Sequence, residues 1–299
     1  MPSRFDRAVE VTSESLPLAW VPVAATLLSG SKVARALAAD GGGGVTFPFP
    51  SGLPTLWTYV SLPNGPGGVG ITGFLSVVAF VPLFLAGLVV TSALEAGFLG
   101  ALDSRIDGGP LAFADGVRRF TVRIVGVNVI RFTVVLAALP FLILPPLAML
   151  VVIVLSYLVY GLPFAVVVGD SDLSTALEST LEHAKAGDRY AAFGLTHLAA
   201  GALGSFVLSG AVRNLGGFGI LFGTAVVAVP SVVVAAYGLL LFREFDPDSG
   251  WSGRAPGDDG PRTLEADDPS TPAFVRRPSD TEPEPRTECA TGERGDADD

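Results

Sequence analysis

Apolar residues in this chain come in long uninterrupted runs, not in the alternation of a half-buried strand or the one-sided stripe of a soluble helix. A membrane-spanning helix needs about 20 mainly apolar residues. Ile71–Leu94, Pro146–Val168 and Phe218–Phe242 reach that length without a charge, and Tyr190–Val212 contains only His197. Ile124–Leu144 is apolar except for Arg131. Leu16–Ala39 is weaker, because Lys32 and Arg35 fall in its last third. The pattern predicts an all-α integral membrane bundle of six transmembrane helices, near 16–39, 71–94, 124–144, 146–168, 190–212 and 218–242. The first run has a second reading, a cleaved signal peptide led by Arg4 and Arg7. Glu10, Glu14, Lys32 and Arg35 favour a retained helix.

The polar connections set an orientation. Asp40–Gly70 has no Lys or Arg, the Pro145-Pro146 turn has no charge, and the turn before Phe218 has only Arg213. The alternate connections hold Arg4 and Arg7; Arg105, Arg118, Arg119 and Arg123; Lys185 and Arg189; and Arg243. Positive residues stay cytoplasmic, so both termini are expected inside the cell membrane. The Gly/Pro-rich stretch 40–70, with Phe47, Phe49, Trp57 and Tyr59, is expected on the outer surface.

Two cytoplasmic amphipathic helices are predicted. Phe113, Val117, Phe120 and Ile124 share one helical face, with Arg118, Arg119 and Arg123 suited to anionic headgroups. Leu173, Ala176, Leu177, Leu181 and Ala184 mark a second, capped by Asp170 or Asp172 and ended by Gly187. Asp103-Ser104 and Asp170-Ser171 open the two loops, a hint of internal duplication or a coincidence between two unrelated helices.

Composition sharpens this picture. Charged residues make up 16% of the 299 residues, against about 25% in soluble domains, and mean hydropathy is +0.54. The net charge of -10 lies in residues 244–299, which hold 16 acidic and 6 basic residues. That stretch, whose aromatic residues are Phe245, Trp251 and Phe274, has no apolar periodicity and is expected to be a disordered acidic cytoplasmic tail. The acid therefore marks no binding cleft. One cysteine, Cys289, and two histidines, His183 and His197, leave no metal site and no disulfide within the chain. There is no phosphate-binding loop or dinucleotide fingerprint. No cofactor, no catalytic residue and no nucleic-acid partner is implied.

The pattern Phe113-x-x-Gly116-x-Arg118-Arg119-Phe120-x-x-Arg123 precedes a span, and Pro163, Asp170, Ala176-Leu177 and Thr180 follow in order. Together they resemble poorly characterised six-helix integral membrane proteins common in haloarchaea, and are similar to the membrane domain attached to some glycerophosphodiester phosphodiesterases. The resemblance covers roughly 72–242. It implies a fold and a membrane location, not an activity, because the catalytic domain of those enzymes has no counterpart here.

Ionisable residues inside a span are functional candidates. Arg131 and His197 each lie seven residues from the expected cytoplasmic start of a span, roughly 10 Å deep. With Asn128 one turn from Arg131, and Glu95 closing the preceding span, they could form a shallow polar pocket. Snorkelling of Arg131 and a helix–helix hydrogen bond of His197 are the plainer alternatives. No run holds a mid-span acid, so nothing resembles a proton relay. Gly219-x-x-x-Gly223 and the stripe of Ala200, Gly201, Gly204, Ser205 and Ser209 suit close helix packing, and Pro163 and Pro230 could kink their spans. The expected function is non-enzymatic: organising membrane lipids or protein partners through the cytoplasmic helices or tail. The alternative is a small-molecule or ion transporter or channel.

Overall fold

The computed structural model describes residues 3–39, 41–62 and 74–245. Most of these residues are helical, and no strand occurs among them. In chain order the helices are α1 (Arg4–Glu14), α2 (Trp20–Leu28), α3 (Gly30–Leu37), α4 (Leu56–Tyr59), α5 (Phe74–Ile106), α6 (Phe113–Ala138), α7 (Pro145–Val159), α8 (Leu162–Val168), α9 (Leu173–Ala186) and α10 (Asp188–Phe245). The expected tail, with Trp251, Phe274 and Cys289, lies outside the described residues from 246 onward, as do 63–73.

Four stretches are long and apolar enough to cross a membrane: Val81–Ile106, Phe113–Phe141, Pro146–Val168 and Arg189–Phe245. A fifth is formed if Arg4–Glu14 and Leu16–Leu28, bent by 85°, count as one. Large apolar side chains face outward from several helices. Val122, Ile143, Leu203 and Phe218 are each more than two-thirds exposed. So wide an apolar surface would be unfavourable in water and is what lipid contact requires.

The longest helix is a hairpin. Gly216 adopts φ +53° and ψ -126°, a conformation costly for any residue with a Cβ. The limbs 188–215 and 217–245 return side by side. Gly219 lies against the backbone of Ala211 and Val212, Phe193 meets Tyr237 at 5.0 Å, and Arg189 pairs with Glu244 at 2.9 Å. Pro230 leaves its limb unbroken, whereas the run 146–168 is divided at Tyr160-Gly161, just before Pro163.

α5 and α6 form a second hairpin. A Cβ on Gly100 would lie 2.6 Å from Gly116 Cα, and one on Gly97 would strike Phe113 and Val117. Bare glycine faces let the two backbones meet. The polar turn is short: α5 runs to Ile106 and Gly108 turns at φ +76°.

Three expectations need correction. The face Phe113, Val117, Phe120, Ile124 is no separate surface helix; it is the first three turns of α6, packed onto α5. The apolar run through 124–138 continues the same helical register without a stop signal, so nothing separates the two parts. Asp103-Ser104 lies inside α5 while Asp170-Ser171 lies in a connection, so the matching pairs occupy unlike settings. Finally, 16–39 is not one straight helix but a 3-10 turn (Leu16–Ala19), α2 and α3, with a break at Ser29.

Sequence reasoning missed α1. Ser3 and Asp6 form a capping box, Asp6 N–H to Ser3 Oγ at 3.1 Å and Ser3 N–H to Asp6 Oδ2 at 2.9 Å. Ser-x-x-Asp is a readable start signal. Ala8, Val11 and Thr12 are buried. Arg4 at its start pairs with Glu244, and Arg105 pairs with Glu14 at its end. α1 therefore lies flat across the arginine-rich end of the bundle, turning sharply into α2.

Candidate functional site: a buried ion pair beneath an inserted segment

α5 carries Ser92 and Glu95 on one face, one turn apart, and α6 carries Asn128 and Arg131 opposite. Arg131 Nη1 donates to Glu95 Oε1 at 3.1 Å and to Asn128 Oδ1 at 3.2 Å. Asn128 Nδ2 donates to Ser92 Oγ at 3.0 Å and Glu95 Oε2 at 3.2 Å. Glu95 is buried, while the Arg131 side chain keeps 26% of its surface. A buried ion pair is tolerable when each partner is also hydrogen-bonded, and here the carboxylate is held by both a guanidinium and an amide.

The setting differs from the sequence expectation. Glu95 does not close its span. α5 continues for 11 residues beyond it, roughly 16 Å. Because α6 starts at Phe113, Arg131 lies roughly 27 Å from that start. The pair is deep, and an apolar stretch does contain an acid.

The stretch expected on the outer surface enters the bundle. Gly41 and Gly42, both with positive φ, lie beside Asn214 and Arg213, and Arg213 Nη1 donates to Gly43 O at 2.8 Å. The backbone then descends along the first limb of α10. Thr46 N–H donates to Ser205 Oγ at 2.8 Å. Pro48 fills the space a Gly201 side chain would need. Phe49 stacks on Tyr160 at 6.0 Å. Gly52 meets Glu95 and Leu99 so closely that no Cβ fits. The return arm passes Thr26, which accepts from Trp57 Nε1 through its carbonyl at 2.7 Å. Tyr59 follows, and Ser61 N–H donates to Ser209 Oγ at 2.8 Å.

Three members of the small-residue stripe on α10, Gly201, Ser205 and Ser209, thus receive a non-helical chain rather than a helix, while Ala200 is exposed and Gly204 faces open space. The reason is hydrogen bonding. An extended backbone inside a bundle has unmet N–H groups, and serine hydroxyls one turn apart accept two of them. Ser51, at the innermost bend, has a buried hydroxyl with no partner among the described residues.

His197 does not join Arg131. Its Nε2 lies 3.4 Å from Tyr59 Oη, with Phe193 alongside. The predicted pocket therefore divides: Glu95, Asn128 and Arg131 come together, and His197 belongs to the inserted segment's return arm.

The basic residues Arg118, Arg119 and Arg123 sit in the first three turns of α6. Arg118 is exposed. Arg119 and Arg123 both grip Asp170, at 2.6 Å each. Asp170 has φ +43°, an uncommon backbone for a side-chain-bearing residue. The hydrogen bond from Arg119, then that from Arg123, holds its carboxyl below the usual carboxylate range. α9 is capped by Asp172, which accepts from Thr175 N–H at 3.1 Å, and ends at Gly187 with φ +84°. Its predicted face is turned inward: Ala176 and Ala184 are buried and Leu173, Leu177 and Leu181 half-buried, with Thr180 buried beside them, while Glu178, Glu182 and Lys185 are exposed.

Two clefts open on the surface. An apolar groove of about 490 Å³ runs between α6 and α7, lined by Val135, Ala138, Ala148, Met149 and Val152, with Thr46 and Phe47 at its side. A cleft of about 300 Å³ lies between α8, α9 and the end of α10. No group of metal-ligating side chains occurs among the described residues. No protein family, characterised protein or solved structure matches this chain.

Proposed function

We propose that this chain is a six-span protein of the cell membrane, both termini cytoplasmic, that organises lipids or protein partners and performs no chemistry of its own. Six crossings follow if α2 with α3, α5, α6, α7 with α8, and the two limbs of α10 each traverse once; α1 and α9 then lie at the cytoplasmic surface and 41–62 is re-entrant. The arginine-rich end supports this orientation. The observation that carries the functional reading is that Glu95 and Arg131, between α5 and α6, are paired with each other, while two clefts open outward, one on the apolar flank and one at the arginine-rich end.

Native mass spectrometry of protein extracted with its own lipids tests it. Ala148→Trp fills the apolar groove and is expected to abolish retention of a lipid that wild type keeps. Equal retention by both proteins would overturn the reading. Cysteines placed at Gly108 or Gly187 should react only from inside the cell, and one at Gly217 only from outside.

A second reading, transport, rests on a specific feature. Non-helical backbone at membrane depth occurs where protein buries it or where it lines a path, and here it ends beside Glu95, Arg131 and the unpartnered Ser51 hydroxyl. Flux through proteoliposomes, lost in Glu95→Gln but not in Ala148→Trp, would favour this alternative.

A further inference from the structure

The cleft between α8, α9 and α10 has an ordered lining. Thr175, Ser179 and His183 recur every four residues on α9, so their side chains follow one another at a rise of about 6 Å along one helix face, and Ser171, in the connection just before the helix, adds a hydroxyl to the same lining. Ser179 Oγ and His183 Nε2 are 3.2 Å apart. The Ser171 hydroxyl makes no hydrogen bond among the described residues. The facing wall is apolar and aromatic: Ala165 and Phe242 line it, and His183 is held edge-on to Phe242 and stacked on Phe245 at 4.4 Å.

Charge selects among occupants. Two arginines, Arg119 and Arg123, reach the rim and are already bound to Asp170, which sits between the lining residues Gly169 and Ser171. An oxyanion would meet the carboxylates of Asp170 and Asp172 beside the lining, and would compete with Asp170 for the two guanidiniums that bind it. A metal ion would find hydroxyls and one imidazole but no carboxylate in the lining. What fits is neutral: hydroxyls to exchange hydrogen bonds with a row of groups that both donate and accept, and a C–H face to lie on Phe242. A few polar groups on an apolar wall is also the usual composition of a small-molecule pocket, and about 300 Å³ is its lower size limit.

We infer that this cleft binds a polyhydroxylated ligand of one-ring size, either the sugar or polyol headgroup of a lipid or the free compound. The lipid-headgroup arm rests on the lipid-organising function proposed above; the site itself does not. Full-length protein in a detergent without a sugar headgroup is titrated with methyl β-D-glucopyranoside by saturation-transfer NMR. The same protein in nanodiscs containing glucosyl diacylglycerol is assayed for lipid retention by native mass spectrometry. Wild type is expected to bind at least one probe, and Thr175→Ala and Ser179→Ala are each expected to weaken that binding about three- to tenfold, the effect of one lost hydrogen bond. Lys185→Ala, on the exposed face of α9, should bind as wild type does and reports that the helix is intact. Binding of the free glucoside alone, sensitive to both variants, keeps the site and removes its lipid source. Lipid retention indifferent to both variants keeps the lipid function and overturns the site. Binding of neither probe by wild type overturns it as well.

Discussion

The two helical hairpins hide polar groups in opposite ways. Between α5 and α6 the backbones are self-satisfied and the polar problem is one of side chains: Glu95, Arg131, Asn128 and Ser92 neutralise one another across a glycine-lined contact. Beside the first limb of α10 the problem is one of backbone, because 41–62 brings unpaired N–H groups into the bundle and Ser205 and Ser209 accept them. A buried charge demands a partner at one point; a buried strand of irregular chain demands partners along its whole length.

Breaking the first arrangement should cost most. Glu95→Ala leaves Arg131 without its carboxylate, with an expected loss of about 3–5 kcal/mol, read as a drop in thermal midpoint in detergent. The double variant Glu95→Ala/Arg131→Leu should recover most of it; no recovery would mean that the pair does not act as a unit. Next come the glycines. Gly100→Val sets a side chain against the Gly116 backbone and Gly201→Val against Pro48, with an expected cost of about 1–3 kcal/mol each. Only Gly201→Val should expose a cysteine placed at Thr46 to a water-soluble reagent, because only it displaces the inserted segment. Ser205→Ala should cost about 1 kcal/mol, the loss of one acceptor, with increased amide exchange at Thr46 as the specific sign.

Asp170 gives the smallest effect and a pH dependence. Its carboxyl is 44% exposed, so Asp170→Asn should cost under about 1 kcal/mol. Since the folded-state pKa is depressed, the contribution is fully present above the ordinary carboxylate value and fades as pH falls through the lowered one. Wild type and Asp170→Asn should therefore differ in stability at neutral pH and converge in acid below the carboxylate range. A difference that persisted there would place the effect in the φ +43° backbone rather than in the arginine clamp.

What could be read from the chain follows the same division. The apolar runs announced α5, α6, α7 and both limbs of α10, because a helix in lipid satisfies its own backbone and needs nothing from afar. The α9 caps were legible for the same reason: Asp172 and Gly187 act on residues three or four positions away. Glu95, Asn128 and Arg131 could be grouped from helix spacing and the need of an arginine for a carboxylate. The inserted segment could not. Its Gly, Pro and aromatic residues suit a surface loop equally well, and its hydrogen-bond partners at Ser205 and Ser209 stand 159 and 148 residues away. His197 was misplaced with it, since its partner Tyr59 belongs to that segment. α1 carries a legible start signal in Ser3 and Asp6, but it is a short polar helix with no apolar run of its own to mark it.

Glu244 has a consequence for how the protein is made. It holds Arg189 and Arg4 together, so the first of the described helices is fastened by one of the last residues of the last of them. Synthesis runs from Arg4 toward Glu244, and α1 must wait until a residue 240 positions later is made before that fastening exists. A nascent chain halted after the first limb of α10 would hold every earlier helix yet leave its own beginning untied.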